Sequence, residues 1–113
     1  MKISIDWVGA YLEYKPFFDA MAVAMKKEGH QIGIITGERE NRRQEIANSL
    51  GFEPDFIYLW GEFESIANGN LWKCSKLDQE DVYVHFDDDA TELKKYTGRW
   101  VLKSLNSGES KKF

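Results

Sequence analysis

Residues 82–89 read Val-Tyr-Val-His-Phe-Asp-Asp-Asp, an apolar run that ends in three adjacent carboxylates. The same order occurs twice more, because residues 3–5 (Ile-Ser-Ile) precede Asp6 and residues 32–35 (Ile-Gly-Ile-Ile) precede Thr36. Short apolar runs of this kind are typical of buried strands. If the three strands are parallel neighbours, their polar ends meet at one carboxyl edge, where open α/β sheets bind ligands. The sequence therefore predicts an acidic, cation-binding site at that edge.

Composition limits the size of the protein and the kind of partner it has. The chain has 113 residues, of which 42% are hydrophobic, so it can build one core but not two ordinary domains. A net charge of -4 argues against a nucleic-acid partner, since phosphate binding normally requires a clustered basic face. No apolar stretch is long enough to span a membrane, and Met1 leads directly into a strand pattern. We therefore expect a cytoplasmic protein without a membrane partner, and the oligomeric state stays open.

Strands alternate with helices along the chain, a pattern that predicts a parallel sheet with right-handed crossovers. Residues 1–103 are expected to form this one α/β domain, and residues 104–113, rich in Ser, Lys and Gly, a loose tail. Residues 63–76 are not assigned, because an Asn-Gly-Asn sequence interrupts any helix there. Three helices are predicted. The first begins at Pro16, the second covers residues 39–50 and the third covers residues 90–96. The predicted strands are 2–7, 31–35, 56–59, 82–86 and 100–102.

The carboxylates at the strand ends match the ligands that magnesium prefers. Mg²⁺ takes hard oxygen ligands in an octahedron, usually one or two carboxylates completed by water or phosphate oxygens. Asp6 could instead cap a loop, and residues 87–89 could be a helix start with surplus charge. Three adjacent acids, however, repel and raise one another's pKa unless a cation lies among them. A metal site that includes Asp6, Asp87 and Asp88 is therefore favoured, whereas His85 is expected to be a packed strand residue.

Two further groups complete the predicted chemistry. The hydroxyl of Thr36 and the amide of Gly37 can hold a phosphoryl oxygen. A lysine can offset the crowded negative charge and stabilise a transition state. Lys73 and Lys76 are the candidates for this lysine, and a solvated surface position is an equally good interpretation of Lys73.

These residues follow the order of four motifs of the haloacid dehalogenase-like (HAD) superfamily, which the chain resembles along its length. The first motif, a hydrophobic strand followed by Asp-x-Asp-Gly-Thr, is matched by residues 3–10 (Ile-Ser-Ile-Asp-Trp-Val-Gly-Ala). The second, an apolar strand ending in Thr or Ser, is matched by residues 34–37. The third is a single lysine, matched best by Lys73 and alternatively by Lys76. The fourth, an apolar strand ending in Asp-Asp, is matched by residues 84–88.

The resemblance implies both a fold and an activity. The fold is a three-layer, Rossmann-like α/β domain with about five parallel strands in the order 3-2-1-4-5 and no cap domain. The activity is that of a Mg²⁺-dependent, phosphatase-type hydrolase acting on a small phosphorylated molecule. By this resemblance Asp6 is the nucleophile of a covalent aspartyl intermediate. Thr36, Gly37 and Lys73 bind the transferring group, and Lys73 also keeps Asp6 charged and oriented.

The same resemblance implies the metal ligands. Asp6, the backbone carbonyl of Val8 and the side chain of Asp88 hold Mg²⁺, and Asp87 binds directly or through water. Asp89, by contrast, is expected to begin the following helix, where a carboxylate interacts well with the helix dipole. A response-regulator receiver domain also combines acids, a Thr and a Lys on a parallel sheet. Its acids, Thr and Lys come in a different order along the chain, so we set it aside.

One departure from the family pattern bears on the activity. Phosphatases of the family carry a second carboxylate two places after the nucleophile, which protonates the leaving group and later activates water. Here that place is Val8, and Ala10 replaces a common Thr. Loss of such acid and base help costs about 10²- to 10⁴-fold in rate. The alternative function is therefore a catalytically impaired HAD-like binding or regulatory module.

Overall fold

A parallel β-sheet forms the framework of the chain. The computed structural model describes residues 1–60 and 72–88, together with the backbone of residues 100–102. The strands are β1 (Lys2–Ile5), β2 (Gln31–Thr36), β3 (Phe56–Leu59), β4 (Val84–Phe86) and β5 (Trp100–Leu102). The four strands with described side chains lie in the order β3-β2-β1-β4, and the backbone of β5 pairs with the outer side of β4. Every neighbouring pair is parallel.

Helices pack on both faces of this sheet. In the described residues they are α1 (Lys15–Lys27), α2 (Arg43–Ser49) and α3 (Trp72–Gln79). Phe18 of α1 and Ile46 of α2 share a buried cluster with Ile34. Leu77 of α3 is buried in a second cluster with Ile35, the strand neighbour of Ile34, because successive strand residues point to opposite faces. The predicted Rossmann-like α/β fold with a parallel sheet is confirmed.

Two strand boundaries differ from the sequence prediction by two residues for identifiable reasons, and β2 extends one residue beyond its predicted end, to Thr36. β1 ends at Ile5 instead of residue 7, because after Asp6 the chain enters a wide turn, Trp7–Tyr11, in which Val8 and Gly9 are not helical. The amide of Tyr11 closes this turn by donating to the carbonyl of Asp6 at 2.9 Å. β4 begins at Val84 instead of residue 82, since the amide of Val82 donates to the end of α3 at 2.9 Å. Both changes leave the carboxyl edge of the sheet in its predicted place.

The helix predictions are corrected in two segments. Residues 39–50 do not form one helix, because Arg39 is extended and a 3₁₀ turn, Glu40–Arg42, precedes α2. The unassigned segment 63–76 contains the start of α3, which continues to Gln79. Within the described ranges, no helix is both long and apolar enough to cross a bilayer. Three predictions lie outside the described residues, namely the helix at 90–96, the domain end at 103 and the tail at 104–113.

Candidate functional site

The carboxyl ends of β1, β2 and β4 form one edge of the sheet and open into a cleft of about 270 Å³. Ile5 is in register with Phe86, and the amide of Asp6 donates to the carbonyl of Phe86 at 2.8 Å. This pairing brings the residues that follow the two strands side by side. All seven site residues predicted from the sequence line the cleft, together with Glu38, which is not among them. Among the described residues, the lining consists of Asp6, Val8, Thr36, Gly37, Glu38, Lys73, Asp87 and Asp88.

Lys73 links the two buried carboxylates of the cleft. Its Nζ donates to Asp6 Oδ1 at 3.1 Å and to Asp87 Oδ2 at 2.8 Å. The lysine is only 3% exposed, so its interpretation as a solvated surface residue is wrong. Removing one partner of a buried ion pair leaves an uncompensated charge and typically costs about 3–5 kcal/mol. The position of Lys73 on the buried side of α3 therefore depends on these two carboxylates.

Lys76, the other candidate, does not reach the cleft. It lies one turn further along α3, and its Nζ pairs with Glu80 Oε2 at 3.2 Å. The same ammonium lies 4.4 Å from the centroid of the Tyr58 ring. Lys76 is nearly as buried as Lys73, at 6% exposure. Burial alone therefore does not distinguish the two lysines, whereas their carboxylate partners do.

His85 fixes the orientation of Asp87 from the floor of the site. Its Nε2 lies 2.9 Å from Asp87 Oδ2, and its Nδ1 lies 2.6 Å from Ser4 Oγ. Burial lowers the pKa of His85, which favours the neutral ring. A neutral ring has one donor and one acceptor, so Nε2–H donates to the carboxylate and Nδ1 accepts from the serine hydroxyl. His85 is packed as the sequence predicts. Its hydrogen bonds to Asp87 and Ser4 were not predicted.

The turn after β1 brings backbone close to Asp88. Val8 is extended at ψ 131°, and Gly9 adopts φ 90°, a conformation that only glycine takes without strain. A Cβ atom at Gly9 would overlap the carboxylate of Asp88. Glycine is therefore required here for two reasons, the positive φ and the close approach. Val8 is 52% exposed beside this contact and lines the cleft.

The electrostatics of the site disfavour full ionisation of its acids. Burial raises the pKa of Asp6 to about 8, and the charge of Asp87 adds to this effect while Lys73 opposes it. Burial also acts to raise the pKa of Asp87, but the hydrogen bond from His85 and the charge of Lys73 outweigh it, so that this pKa lies below its usual range. The pKa of Asp88 is raised by burial and by the neighbouring Asp87. Without a bound cation, Asp87 is the firmly ionised member of the three.

The donor set fits a magnesium ion. One carboxylate oxygen from each of Asp6, Asp87 and Asp88 lies within 4.8 Å of the other two. Opposite ligands of an octahedral Mg²⁺ ion are about 4 Å apart, so the three oxygens need to approach one another by at most about 1 Å to share one ion. When ionised, the three carboxylates outweigh the single ammonium of Lys73 by two charges. A divalent cation would balance that excess, and all the donors are the hard oxygens that Mg²⁺ prefers.

The loop after β2 contributes a further part of the cleft lining. Thr36 is 3% exposed at the end of β2, and a Cβ at Gly37 would meet no atom within 4 Å, so the backbone there is accessible. Glu38 follows, and its Oε2 accepts an ion-pair contact from Arg42 Nη1 at 3.2 Å. A hydroxyl, an open backbone position and a carboxylate thus lie in this part of the cleft.

In comparisons with known proteins, no family model, curated protein or solved structure matches this chain.

Proposed function

We propose that this chain is a HAD-like, Mg²⁺-dependent hydrolase that acts on a small phosphorylated compound through the carboxylate of Asp6. The main support is the convergence of Asp6, Lys73, Asp87 and Asp88 in one cleft at the carboxyl edge of the sheet. The order of the four motifs along the sequence is a second, independent support.

The proposal includes details of the fold and setting that go beyond the parallel sheet. These are a three-layer arrangement with five strands in the order 3-2-1-4-5, the lack of a cap domain, and a cytoplasmic location. Without a cap, a substrate would reach the carboxylates directly from solvent. Such an open cleft suits a small phosphorylated molecule as the partner.

Magnesium would be held by the side chains of Asp6 and Asp88 and by the backbone carbonyl of Val8, with Asp87 binding directly or through water. When bound, the ion would offset negative charge on the transferring phosphoryl group. The close approach of Gly9 to Asp88 supports this ligand set, because the turn that contains Val8 therefore lies beside one of the carboxylates.

The protein groups around the ion have separate tasks in this proposal. Lys73 holds Oδ1 of Asp6 and favours the ionised, nucleophilic form of that carboxylate. Thr36 and Gly37 would hold oxygens of the transferring phosphoryl group. His85 positions Asp87 through the 2.9 Å hydrogen bond to Oδ2. Preorganised contacts of this kind avoid reorganisation during the reaction.

The alternative is a catalytically impaired member that binds metal and phosphate without turnover, and Val8 is the observation that favours it. Hydrolysis of p-nitrophenyl phosphate, measured with and without Mg²⁺, distinguishes the two functions. Mg²⁺-dependent turnover supports the hydrolase. Calorimetric binding of Mg²⁺ and inorganic phosphate without turnover supports the module, and the lack of both contradicts both.

Replacing Lys73 by methionine should lower kcat/KM for p-nitrophenyl phosphate by about 10²- to 10³-fold, the usual cost of losing one charge-stabilising donor. Lys76→Met is the matched control, because it removes the same ammonium from the same buried helix one turn away from the cleft. It should change kcat/KM less than about threefold. Equal losses in the two variants would show that Lys73 acts only through the stability of α3.

Replacing Gly9 by alanine should weaken Mg²⁺ binding by roughly tenfold or more, because the new methyl group displaces Asp88. Gly29→Ala is the control for backbone strain. Gly29 has nearly the same φ, 88° against 90°, but a Cβ there meets no atom within 4 Å. Both variants should lose about 1 kcal/mol of stability. Isothermal titration with Mg²⁺ should detect the loss of affinity in Gly9→Ala alone, and equal affinities would argue against Asp88 as a ligand.

A further inference from the structure

The described lining of the cleft contains four carboxylates, and each of them already has a partner or a task in the proposed function. Asp6 and Asp87 are both held by Lys73. Asp88 belongs to the acidic cluster that fits a metal ion, and Glu38 pairs with Arg42 at 3.2 Å. Beside them Val8 presents an alkyl side chain at 52% exposure.

The described lining of the cleft therefore contains a nucleophile, a charge-stabilising lysine and metal ligands, but no side chain set to serve as a general acid. Thr36 is a hydroxyl and too weak an acid for that task at neutral pH. A leaving oxygen would depart into solvent as an anion. Such a departure is fast for a weakly basic carboxylate or phenolate and slow for a strongly basic alkoxide.

Resting on the proposed function, we propose that the substrates are activated phosphoryl donors of the acyl phosphate class. In this proposal, phosphorylation of Asp6 is faster than the hydrolysis that removes the phosphoryl group again. In the first step an oxygen of Asp6 forms a bond to phosphorus. The bond from phosphorus to the leaving oxygen breaks, and its electron pair leaves with the unprotonated carboxylate product.

The second step returns Asp6 to its starting form. Water attacks phosphorus, the bond between phosphorus and Asp6 breaks, and the electron pair returns to the carboxylate. The proton of the water goes to the released phosphate or to solvent. Since no side chain of the described cleft is set to act as a base here, this step is slow, and phosphorylated Asp6 accumulates when the donor is good.

The test measures kcat/KM for acetyl phosphate, p-nitrophenyl phosphate, phenyl phosphate and an alkyl phosphate in Mg²⁺. For the unmodified chain, kcat/KM should fall steeply as the leaving group becomes more basic. With acetyl phosphate, intact-protein mass spectrometry should show the addition of one phosphoryl group, absent in Asp6→Asn. Val8→Asp should raise kcat/KM for the alkyl phosphate by about 10²- to 10⁴-fold and shorten the lifetime of the phosphorylated protein.

Val8→Asn is the control for side-chain size. Asparagine matches aspartate in size but is not an acid, so this variant should not show the gain expected for Val8→Asp. Equal kcat/KM values for the alkyl and acyl donors in the unmodified chain would overturn this inference and leave the proposed function standing. A folded Val8→Asp variant with no gain would overturn it as well. If the variant does not fold, the leaving-group series of the unmodified chain decides alone. Lack of both turnover and phosphorylation with every donor would instead overturn the proposed function.

Discussion

Replacing Asp6 by asparagine should abolish Mg²⁺-dependent turnover of p-nitrophenyl phosphate, with a fall in kcat of about 10⁴-fold or more. The amide has nearly the shape of the carboxylate and still offers an oxygen to Lys73, whose Nζ lies 3.1 Å from Asp6 Oδ1. It is a far weaker nucleophile, so no covalent intermediate forms. Steady-state kinetics in saturating Mg²⁺ would measure the loss.

Asp78→Asn is the control for this experiment, because Asp78 is an exposed residue of α3, outside the cleft. The same chemical change at that position should leave kcat within about twofold of the unmodified chain. Residual turnover above about 1% in a folded Asp6→Asn variant would mean that another group attacks the substrate. In that case the cleft would still be a candidate metal site, but Asp6 would not be its nucleophile.

This edge of the sheet could be predicted from the sequence because the apolar runs of β1, β2 and β4 are each followed directly by a polar residue, namely Asp6, Thr36 and Asp87. The register then follows from parallel pairing, which aligns Ile5 with both Ile34 and Phe86. Asp6 and Asp87 consequently emerge side by side. This part of the site can be predicted from short local patterns, because the carboxyl ends of parallel strands lie at the same edge of the sheet whatever the order of the strands.

The sequence did not decide whether Lys73 or Lys76 is the lysine of the site. The Asn-Gly-Asn sequence just before α3 prevented the prediction of that helix, and both lysines lie on it. Lys73 and Lys76 are three positions apart and therefore on neighbouring parts of one helical face. Only the tertiary contacts separate them, because one meets Asp6 and Asp87 and the other meets Glu80.

Ser4 and His85 are polar residues within predicted strands, and their relation becomes clear only once the pairing of these strands is known. Each lies in an apolar run, where a polar residue needs a partner to be buried. The register places Ser4 directly beside His85 on neighbouring strands. Two buried polar residues in paired positions therefore indicate a hydrogen bond. The turn that contains Gly9 had no comparable signal, since its close approach to Asp88 depends on a residue far along the chain.

Raising the pH from 6.5 to about 8 without metal should lower the free energy of unfolding by about 2 kcal/mol, and Tm by roughly 10 °C. The pKa of Asp6 rises from 3.8 to about 8 on folding, mainly through burial. The folded state therefore holds a proton that the unfolded state lacks, and this stabilisation is lost as the pH rises towards 8. Asp88, whose pKa is also raised, acts in the same direction.

The window begins at 6.5 because His85 acts in the opposite direction below that pH. Burial lowers its pKa from 6.5, so its contribution to stability is present above 6.5 and is lost as the pH falls. The stabilisation from Asp87, whose pKa is lowered, is lost only below 3.8. Between 6.5 and 8, the raised pKa values of Asp6 and Asp88 thus both make the stability fall with rising pH.

Thermal unfolding followed by circular dichroism in EDTA would measure this slope in three proteins. The unmodified chain and Asp78→Asn should both lose stability over the window, whereas Asp6→Asn should lose much less and be the most stable of the three at pH 8. Saturating Mg²⁺ should remove the slope in the unmodified chain, because the ion binds the ionised carboxylate and stabilises the folded state. An unchanged slope in Asp6→Asn would locate the buried proton elsewhere in the cluster, with Asp88 as the next residue to replace.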